Sequence, residues 1–388
     1  FSNAEGGILV IGIEDDGEIT GFKYPKSKAI EKYIEAPLDF LSRLPKYTIE
    51  RVPVQNSKGE DDEILVFTIE PNYESIIALK DETVFLRVND KSKKLVHSQI
   101  TQLEFDRGSR NFEEELVEYS SIADVTEAVV DEFRQLLGTT VSTEKLLKAR
   151  GFLRDGKLTV AGLLLFSDNI TAYFPSARIR FMRYEGVKAE SGYRLNIVKD
   201  VTFDKALPTA IKEAREFIKT QLRDFTFLGK DGKFVTLPEY PEFAWFEGMI
   251  NAVVHRRYDN LGDHIRIKMY DDRLEIYSPG ALPASVNLKN IKEERYSRNP
   301  KVAAALTQYK WVRESNEGVG RIFQEMKEYF LDDPVYEEPN NSAVQLTLKN
   351  NIVARKYRET GRVSQIITTE LFDGLNELEE AVVRHLYN

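Results

Sequence analysis

The stretch EGMINAVVHRR, residues 247–257, places an acid, an amide and an imidazole at Glu247, Asn251 and His255, each four residues after the last. Residues four apart share one face of a helix, so these side chains form a single polar stripe. The positions between them are mainly apolar, which predicts a helix that a hydrophobic core covers on its other sides. The rest of the chain must fold around this helix, and the stripe needs partners from the protein or from a ligand.

Composition narrows the class of protein. A chain of 388 residues predicts two or three domains of about 100–200 residues each. Its 54 basic and 63 acidic residues give a net charge of -9, which argues against a uniformly basic nucleic-acid binder and leaves room for local basic patches. The absence of cysteine excludes disulfides and thiolate zinc sites and favours a reducing, cytoplasmic location. No apolar run reaches the roughly 20 residues of a membrane span, so no membrane partner is expected.

The order of strand-like and helix-like segments predicts an α+β fold in four parts. These are a mixed α/β domain at 1–105, a helical connector at 106–154, a second α/β domain at 155–350 and a tail at 351–388.

Within the second α/β domain, residues 206–225 and 240–257 predict helices and residues 226–239 a loop. Residues 264–280 predict a hairpin that turns on Asp271-Asp272. The tail ends in LNELEEAVVRHLYN, an amphipathic helix. That helix suits the first helix of a winged helix-turn-helix and equally a packing or oligomerisation helix.

Two glycine-containing segments suggest a ligand for the polar stripe. SPGALP ends a strand in a turn at Gly280, and EGVGRIFQEM carries Gly318 and Gly320 directly into a helix. Bare backbone N–H groups at a helix N-terminus bind phosphate oxygens, because no Cβ obstructs their approach. A lone Gly-x-Gly before a helix is more often a simple turn. The prediction of a phosphate site therefore depends on the polar stripe and both glycine-containing segments occurring in this order.

The stripe supplies the groups that phosphate chemistry requires. Asn251 offers Mg²⁺ a carbonyl oxygen, the type of ligand that this ion prefers. Glu247, one turn away, is placed to orient and deprotonate a water for phosphoryl transfer. A Glu-x-x-x-Asn pair alone also occurs on many solvated helix faces.

In this order, the motifs resemble the GHKL, or Bergerat-fold, ATP-binding family of gyrase and histidine kinases. The string from NAVVHRRYDN to EGVGRIFQEM is more specifically similar to a divergent branch known as a RecG-C-terminal-like ATP-binding region. The resemblance covers about 155–350 and implies a Bergerat-type α/β sandwich that binds ATP and Mg²⁺. It gives Glu247 a catalytic role, and it gives Asn251, Gly280, Gly318 and Gly320 roles in cofactor binding.

The chain departs from this family in its second motif. The family has Asp-x-Gly-x-Gly where this chain has Pro279-Gly280, so the adenine-reading acid is left to Asp272 or a neighbour. The resemblance also places YSRNP, residues 296–300, in a lid where Arg298 reaches a phosphate. Capping of the following helix by Asn299 explains the same residues. His255 is interpreted as structural.

The opening FSNAEGGILVIGIEDDGEITGF resembles the AlbA_2, or Schlafen-type, domain, whose signature is an aromatic residue, Ala or Ser, Asn-x-x-Gly-Gly and then Gly-x-x-Asp. This resemblance covers about 1–105 and implies nucleic-acid binding. In some Schlafen relatives it also implies metal-assisted endoribonuclease activity, with Asp15 or Asp16 matching the third acid of a triad. The other two acids would precede Phe1, because the chain starts without Met inside a strand pattern and we expect sequence upstream. A hairpin turn explains Asp15-Asp16-Gly17 equally well.

Basic residues of the same domain cluster in RVNDKSKK. Arg87, Lys91, Lys93 and Lys94 suit contacts with phosphates, and a solvated loop is the alternative interpretation.

The sequence therefore predicts a bacterial-type, nucleic-acid-binding regulatory protein, in which ATP and Mg²⁺ bias a lid at about 281–316. Two other hypotheses stay open. One is a metal-dependent endoribonuclease that uses Asp15 or Asp16, and the other is a homo-oligomeric scaffold whose pocket binds nothing. The residues do not distinguish DNA from RNA.

Overall fold

A computed structural model describes residues 1–23, 29–107, 109–228, 233–283, 286–294, 296–312, 317–329 and 331–350. The chain divides into two compact units, with the boundary between Asn111 and Phe112. The tail from 351, with its predicted amphipathic helix and winged helix-turn-helix, lies outside the described residues.

The first unit is built on a small antiparallel sheet. Its strands and helices are β1 (Gly7–Ile11), α1 (Ile30–Phe40), β2 (Tyr47–Gln55), β3 (Asp61–Ile69), β4 (Phe85–Val88), β5 (Lys91–Lys94) and α2 (His97–Asp106). The sheet has the order β1-β3-β2, and β4 and β5 form a separate hairpin. The mixed α/β pattern predicted for this part of the chain is therefore confirmed, with the long middle strand β3 paired on both sides.

The signature residue Asn3 joins distant parts of the first unit. Its Nδ2 donates to the carbonyl oxygens of Ile77, at 2.6 Å, and Phe85, at 3.0 Å. Its Oδ1 accepts from the N–H of Ile77 at 2.9 Å, and its own carbonyl oxygen accepts from Arg107 Nη2 at 2.8 Å. Asn3 is buried, and these bonds satisfy its polar atoms. The signature is therefore structural at this position.

The second unit is organised by a mixed six-stranded sheet. Its elements are α3 (Glu127–Leu136), α4 (Thr143–Ala149), β6 (Leu153–Arg154), β7 (Lys157–Leu158), α5 (Val160–Phe166), β8 (Ile179–Tyr184), β9 (Ile197–Phe203), α6 (Leu207–Gln221), β10 (Asp224–Leu228), β11 (Phe234–Pro238), α7 (Glu242–Val254), β12 (Ile265–Met269), β13 (Arg273–Pro279), α8 (Pro300–Gln308), α9 (Gly318–Glu328), β14 (Val335–Glu337) and β15 (Ala343–Lys349).

The sheet has the order β14-β15-β13-β12-β8-β9. Its neighbours are antiparallel except β12 and β8, which are parallel. Helices α6 and α7 pack on this sheet, and α7 also packs against α8 and α9. The predicted hairpin over 264–280 is confirmed as β12 and β13, whereas part of the predicted loop at 226–239 belongs to the hairpin of β10 and β11.

The segment predicted as a connector contributes to the core of the second unit. Val130, Phe133 and Leu147 from α3 and α4 are almost completely buried and belong to its main hydrophobic cluster. Burying them removes apolar surface from water, so this segment is stabilised by the second unit. None of the helices in the described part of the chain is long and apolar enough to cross a membrane.

Candidate functional site

Helix α7 carries the predicted polar stripe. Asn251 Nδ2 donates to Glu247 Oε1 at 3.3 Å, across one helical turn. Both side chains are half-buried, whereas Trp245, Met249 and Val253 on the other sides are fully buried. Since Nδ2 of Asn251 is committed to the carboxylate, its Oδ1 is the atom that would coordinate a metal ion.

The start of α9 lies directly against Glu247. A Cβ added to Gly318, the first residue of α9, would lie closer than 3.0 Å to Oε1 of Glu247, a separation that real Cβ atoms do not show. Gly320, two residues further, has open space around it. The structure therefore brings together the predicted acid and the predicted glycine-rich helix start. The absence of a side chain at Gly318 is what permits their close approach.

The end of β13 contributes a second glycine. Gly280 has a φ of +119°, in the region that favours glycine, and a Cβ there would collide with Nη1 of Arg298. Arg298 Nη2 donates to the carbonyl oxygen of Ala281 at 2.8 Å. The predicted lid residue Arg298 therefore lies over the turn at Gly280, and the two predicted site residues are neighbours.

His255 caps the C-terminal end of α7, where its N–H donates to the carbonyl oxygen of Asn251 at 2.9 Å. Burial and then the positive charge of Arg298 lower the pKa of His255 to about 4. The imidazole is therefore neutral at pH 7. It therefore adds no positive charge beside Asn251, and the neighbouring cation is Arg298.

Asp272 lies away from these residues. It precedes β13, and Gly280 follows the same strand, so about seven residues at roughly 3.3 Å each separate them. Asp272 Oδ1 pairs with Arg273 Nη1 at 3.0 Å, and its carbonyl oxygen accepts from the N–H of Asn350. The acid suggested as an adenine reader is thus not brought to the other candidate residues. Ser278, close to Gly280, is already engaged, because its hydroxyl donates to the carbonyl oxygen of Ala252 at 2.7 Å.

Two further residues adjoin the site without having been identified in the sequence. The guanidinium of Arg321, in the first turn of α9, lies 4.0 Å from the ring centroid of Phe243 on α7 and pairs with Glu325. Its position directly after Gly320 is the local signal by which the sequence could have identified it. Tyr336 on β14 stacks on Phe323 of α9, and burial together with the charge of Glu247 raises the pKa of Tyr336. No local pattern connects Tyr336 with α7.

In the first unit, Asp15 and Asp16 lie in an exposed turn. Asp16 Oδ1 accepts from the N–H of Glu18 at 2.9 Å, as in an Asx-type turn. Within the described residues, no group of three or more His, Cys, Asp or Glu side chains could hold a metal ion. The turn geometry accounts for these two acids as they stand.

A buried acid that the sequence analysis did not identify fixes the segment after this turn. Asp62 accepts from the N–H groups of Phe22, at 3.0 Å, and Lys23, at 2.9 Å. Burial acts to raise the pKa of Asp62, and the hydrogen bonds from the backbone outweigh it and lower the pKa to about 2. Asp62 therefore stays ionised and anchors this part of the first unit.

The predicted basic residues all lie on the hairpin of β4 and β5, on two faces. In the register of the hairpin, Arg87 opposes Ser92 and therefore shares a face with Lys94. Lys91 and Lys93 share the other face and are exposed. The guanidinium of Arg87 lies 5.0 Å from the centroid of the Phe1 ring. Lys91 and Lys93 are therefore two exposed cations on one face, whereas on the other face Lys94 is exposed and Arg87 packs on an aromatic ring.

Comparisons with known proteins agree with this division of the chain. Residues 1–96 match the family model described as "Schlafen, AlbA_2". Residues 262–348 match the family model described as "Putative ATP-dependent DNA helicase recG C-terminal". The predicted fusion is confirmed. A search of the curated proteins finds no match.

The AlbA_2 match includes the Asp15-Asp16 turn and the whole β4–β5 hairpin. The recG C-terminal match includes Gly280, Arg298, Gly318 and Gly320. It begins after α7, so Glu247 and Asn251 lie outside it and depend on the geometry described above.

One solved structure extends the likeness over most of the chain. The crystal structure of the DIP2311 protein from Corynebacterium diphtheriae matches with a TM-score of 0.52 and 22% sequence identity. The match covers 89% of this chain and 66% of that chain. At this identity the likeness shows a shared fold. The present chain spans about two thirds of the length of that protein chain.

Proposed function

We propose that the second unit binds ATP with Mg²⁺ and that this binding regulates a nucleic-acid-binding activity of the first unit. One observation supports the nucleotide site above all others: the carboxylate of Glu247 lies against Gly318 at the start of α9, with Asn251 one turn along α7. A helix start attracts phosphate oxygens, a carboxylate activates water, and an amide oxygen coordinates Mg²⁺. The similarity to a family named for an ATP-dependent helicase supports the same proposal.

The residues fit a nucleotide with its metal ion. The N–H groups at the start of α9, next to the bare Gly318 and Gly320, suit the phosphates, and Arg298 supplies a nearby cation. Oδ1 of Asn251 would hold Mg²⁺, which neutralises phosphate charge when it is bound. Glu247 would accept a proton from a water molecule close to the phosphates.

The nucleotide site can be tested with two substitutions. Asn251→Ala removes the metal ligand, and we expect it to raise the Kd for Mg²⁺-ATP at least about tenfold, equivalent to about 1.4 kcal/mol. Glu247→Gln keeps the size of the side chain, and we expect it to retain binding while lowering any hydrolysis about 10²–10⁴-fold. Titration of a fluorescent ATP analogue, with phosphate release measured in parallel, checks both results.

Glu216→Gln is a suitable control, because Glu216 lies on the exposed face of α6 and its side chain is 72% exposed. The nucleotide proposal is lost if the native chain gives no saturable signal, or if Asn251→Ala binds as tightly as Glu216→Gln. Absence of binding would favour the scaffold hypothesis, in which the pocket has no ligand.

The exposed face of the β4–β5 hairpin is the proposed contact with nucleic acid. Lys91 and Lys93 lie side by side on it, and each phosphate neutralised by a lysine releases counterions. We expect the double substitution Lys91→Ala and Lys93→Ala to weaken binding and to lower the slope of log affinity against log salt by about 1.8 for duplex DNA, from about 0.9 per contact. Fluorescence anisotropy at several salt concentrations measures this slope.

The control is the double substitution Lys145→Ala and Lys148→Ala on α4, which removes the same charge from the second unit. Equal slopes for the two double variants would contradict the hairpin contact.

The same anisotropy titrations, carried out with single-stranded RNA, duplex RNA and duplex DNA, determine which nucleic acid the protein prefers. Cleavage of RNA in the presence of Mn²⁺ would instead favour the endoribonuclease hypothesis, in which Asp15 or Asp16 contributes to the catalytic site.

Homo-oligomer formation and a cytoplasmic location stay predictions.

A further inference from the structure

Glu113 is a fully buried acid close to the point where the second unit begins. Its side chain has no exposed surface, although glutamate is rarely buried in proteins. Oε1 accepts from the N–H of Lys301 at 2.6 Å, and Oε2 accepts from the N–H of Val302 at 2.9 Å. Both N–H groups belong to the first turn of α8, where no carbonyl within the helix can accept them. The carboxylate of Glu113 therefore caps this helix from a distant part of the sequence.

The start of α8 has a second attachment, to the end of α7. Asn299, the residue before α8, is almost completely buried, and its Nδ2 donates to the carbonyl oxygens of Val254, at 2.7 Å, and Arg256, at 2.8 Å. These carbonyls lie at and just after the end of α7, three and five residues beyond Asn251. The preceding residue, Arg298, lies over Gly280. The start of α8 thus connects Glu113 with both parts of the candidate nucleotide site.

We propose that Glu113 is a positioning residue of the nucleotide site, which fixes the start of α8 and, through Asn299 and Arg298, the end of α7 and the turn at Gly280. This inference rests on the proposed function, because it assigns Glu113 to the regulation of the same site.

The surroundings of Glu113 make this contact sensitive to pH. Burial raises the pKa of Glu113 to about 7, although the N–H groups of Lys301 and Val302 act to lower it. The other ionisable groups that face it are Glu114, the side chain of Lys301 and the buried Tyr258. The ionised carboxylate accepts from both N–H groups, whereas in the protonated form the oxygen that carries the proton is a weak acceptor. Deprotonation of Glu113 therefore favours tight positioning of the start of α8.

Deprotonation of Glu113 has the opposite effect on global stability from its effect on the positioning of α8. Because the pKa of Glu113 is raised on folding, the folded chain binds more protons than the unfolded chain between the ordinary carboxyl pKa and about 7. The contribution of Glu113 to stability is therefore complete below the ordinary range and decreases as the pH rises through about 7. Tighter nucleotide binding at high pH would consequently not be a by-product of greater stability.

The test is the Kd of a fluorescent ATP analogue with Mg²⁺, measured with the whole chain between pH 6 and pH 8. In the native protein we expect binding to tighten about tenfold over this range, because the deprotonated fraction of a group with a pKa of about 7 rises about tenfold between these two values. Glu113→Gln presents an N–H group to one of the two donors, so we expect it to bind about tenfold more weakly at pH 8 and to lose the pH dependence. Glu114→Gln is the matched control, because the side chain of Glu114 is 43% exposed and lies 3.8 Å from Lys301 Nζ. Since the charge of Glu114 helps to raise the pKa of Glu113, we expect this variant to keep the pH dependence with a slightly lower midpoint.

A second measurement separates this role from general unfolding. In Glu113→Gln at pH 8 without nucleotide, we expect the amide hydrogens of Lys301 and Val302 to exchange faster, while those of α6 keep their native rates. Unchanged exchange at these two amides, or the same pH profile of Kd as Glu114→Gln, would overturn the inference. If no variant binds nucleotide, the proposed function and the positioning role both fail, while the exchange data still report whether Glu113 caps α8.

Discussion

Gly318→Ala is expected to weaken the binding of Mg²⁺-ATP at least about tenfold, with little change in stability. A Cβ at this position would collide with Oε1 of Glu247, so the carboxylate must shift from its place against the start of α9. The shifted carboxylate, next to the N–H groups at the start of α9, would repel phosphate oxygens. Stability changes little because the atom in the way is the flexible end of a side chain.

Gly320→Ala is the comparison that isolates this effect. It removes the other glycine of the same helix turn, but its Cβ meets nothing within 4 Å. We expect a clearly smaller loss of affinity than for Gly318→Ala, measured by titration with the same fluorescent analogue. Equal losses in the two variants would mean that any side chain at the start of α9 interferes with binding, and that the contact with Glu247 is irrelevant.

Gly280→Ala is expected to destabilise the second unit by about 2–4 kcal/mol. Roughly 1–2 kcal/mol of this arises from placing alanine at a φ of +119°, and the remainder from crowding against Arg298 and Arg257. The two tryptophans of the chain, Trp245 and Trp311, both belong to the second unit. Their fluorescence during urea unfolding therefore reports on this unit alone.

Gly262→Ala serves as the control, because its Cβ would make only an ordinary contact with Asn260, and we expect a change within about 0.5 kcal/mol. Adding Arg298→Ala to Gly280→Ala should recover the part caused by crowding against Arg298 and leave the parts caused by Arg257 and by backbone strain. A midpoint for Gly280→Ala equal to that of Gly262→Ala would contradict the strained turn.

Features encoded locally could be predicted from the sequence. The stripe of Glu247 and Asn251 follows from helical spacing, and the glycines at 318 and 320 directly precede helical residues, so both needed only short-range rules. The hairpin of β12 and β13 was predicted from the alternation of apolar and polar residues and from the turn at Asp271-Asp272.

Features that depend on the path of the chain could not be predicted. Glu113 meets Lys301 only because the segment after the first unit folds back onto α8, and glutamate in a charged stretch indicates solvent exposure by default. Asp272 was suggested as a substitute for the adenine-reading acid of the second motif, yet the extended strand between Asp272 and Gly280 carries seven residues over about 23 Å. The hairpin of β10 and β11 was hidden by the glycines and prolines near it, which favour a loop.

The parallel pairing of β8 with β12 has a consequence for how the molecule is assembled. These strands are adjacent in the sheet, yet the chain between them contains β9, α6, the β10–β11 hairpin and α7. Closing so long a loop is entropically costly and slow compared with forming local hairpins. Helix α7, which bears Glu247 and Asn251, lies inside this loop. During synthesis, the helix therefore emerges before two of the strands that will pack on it, β13 and β15. Until those strands arrive, the apolar side of the helix is exposed, and exposed apolar surface promotes misfolding and aggregation.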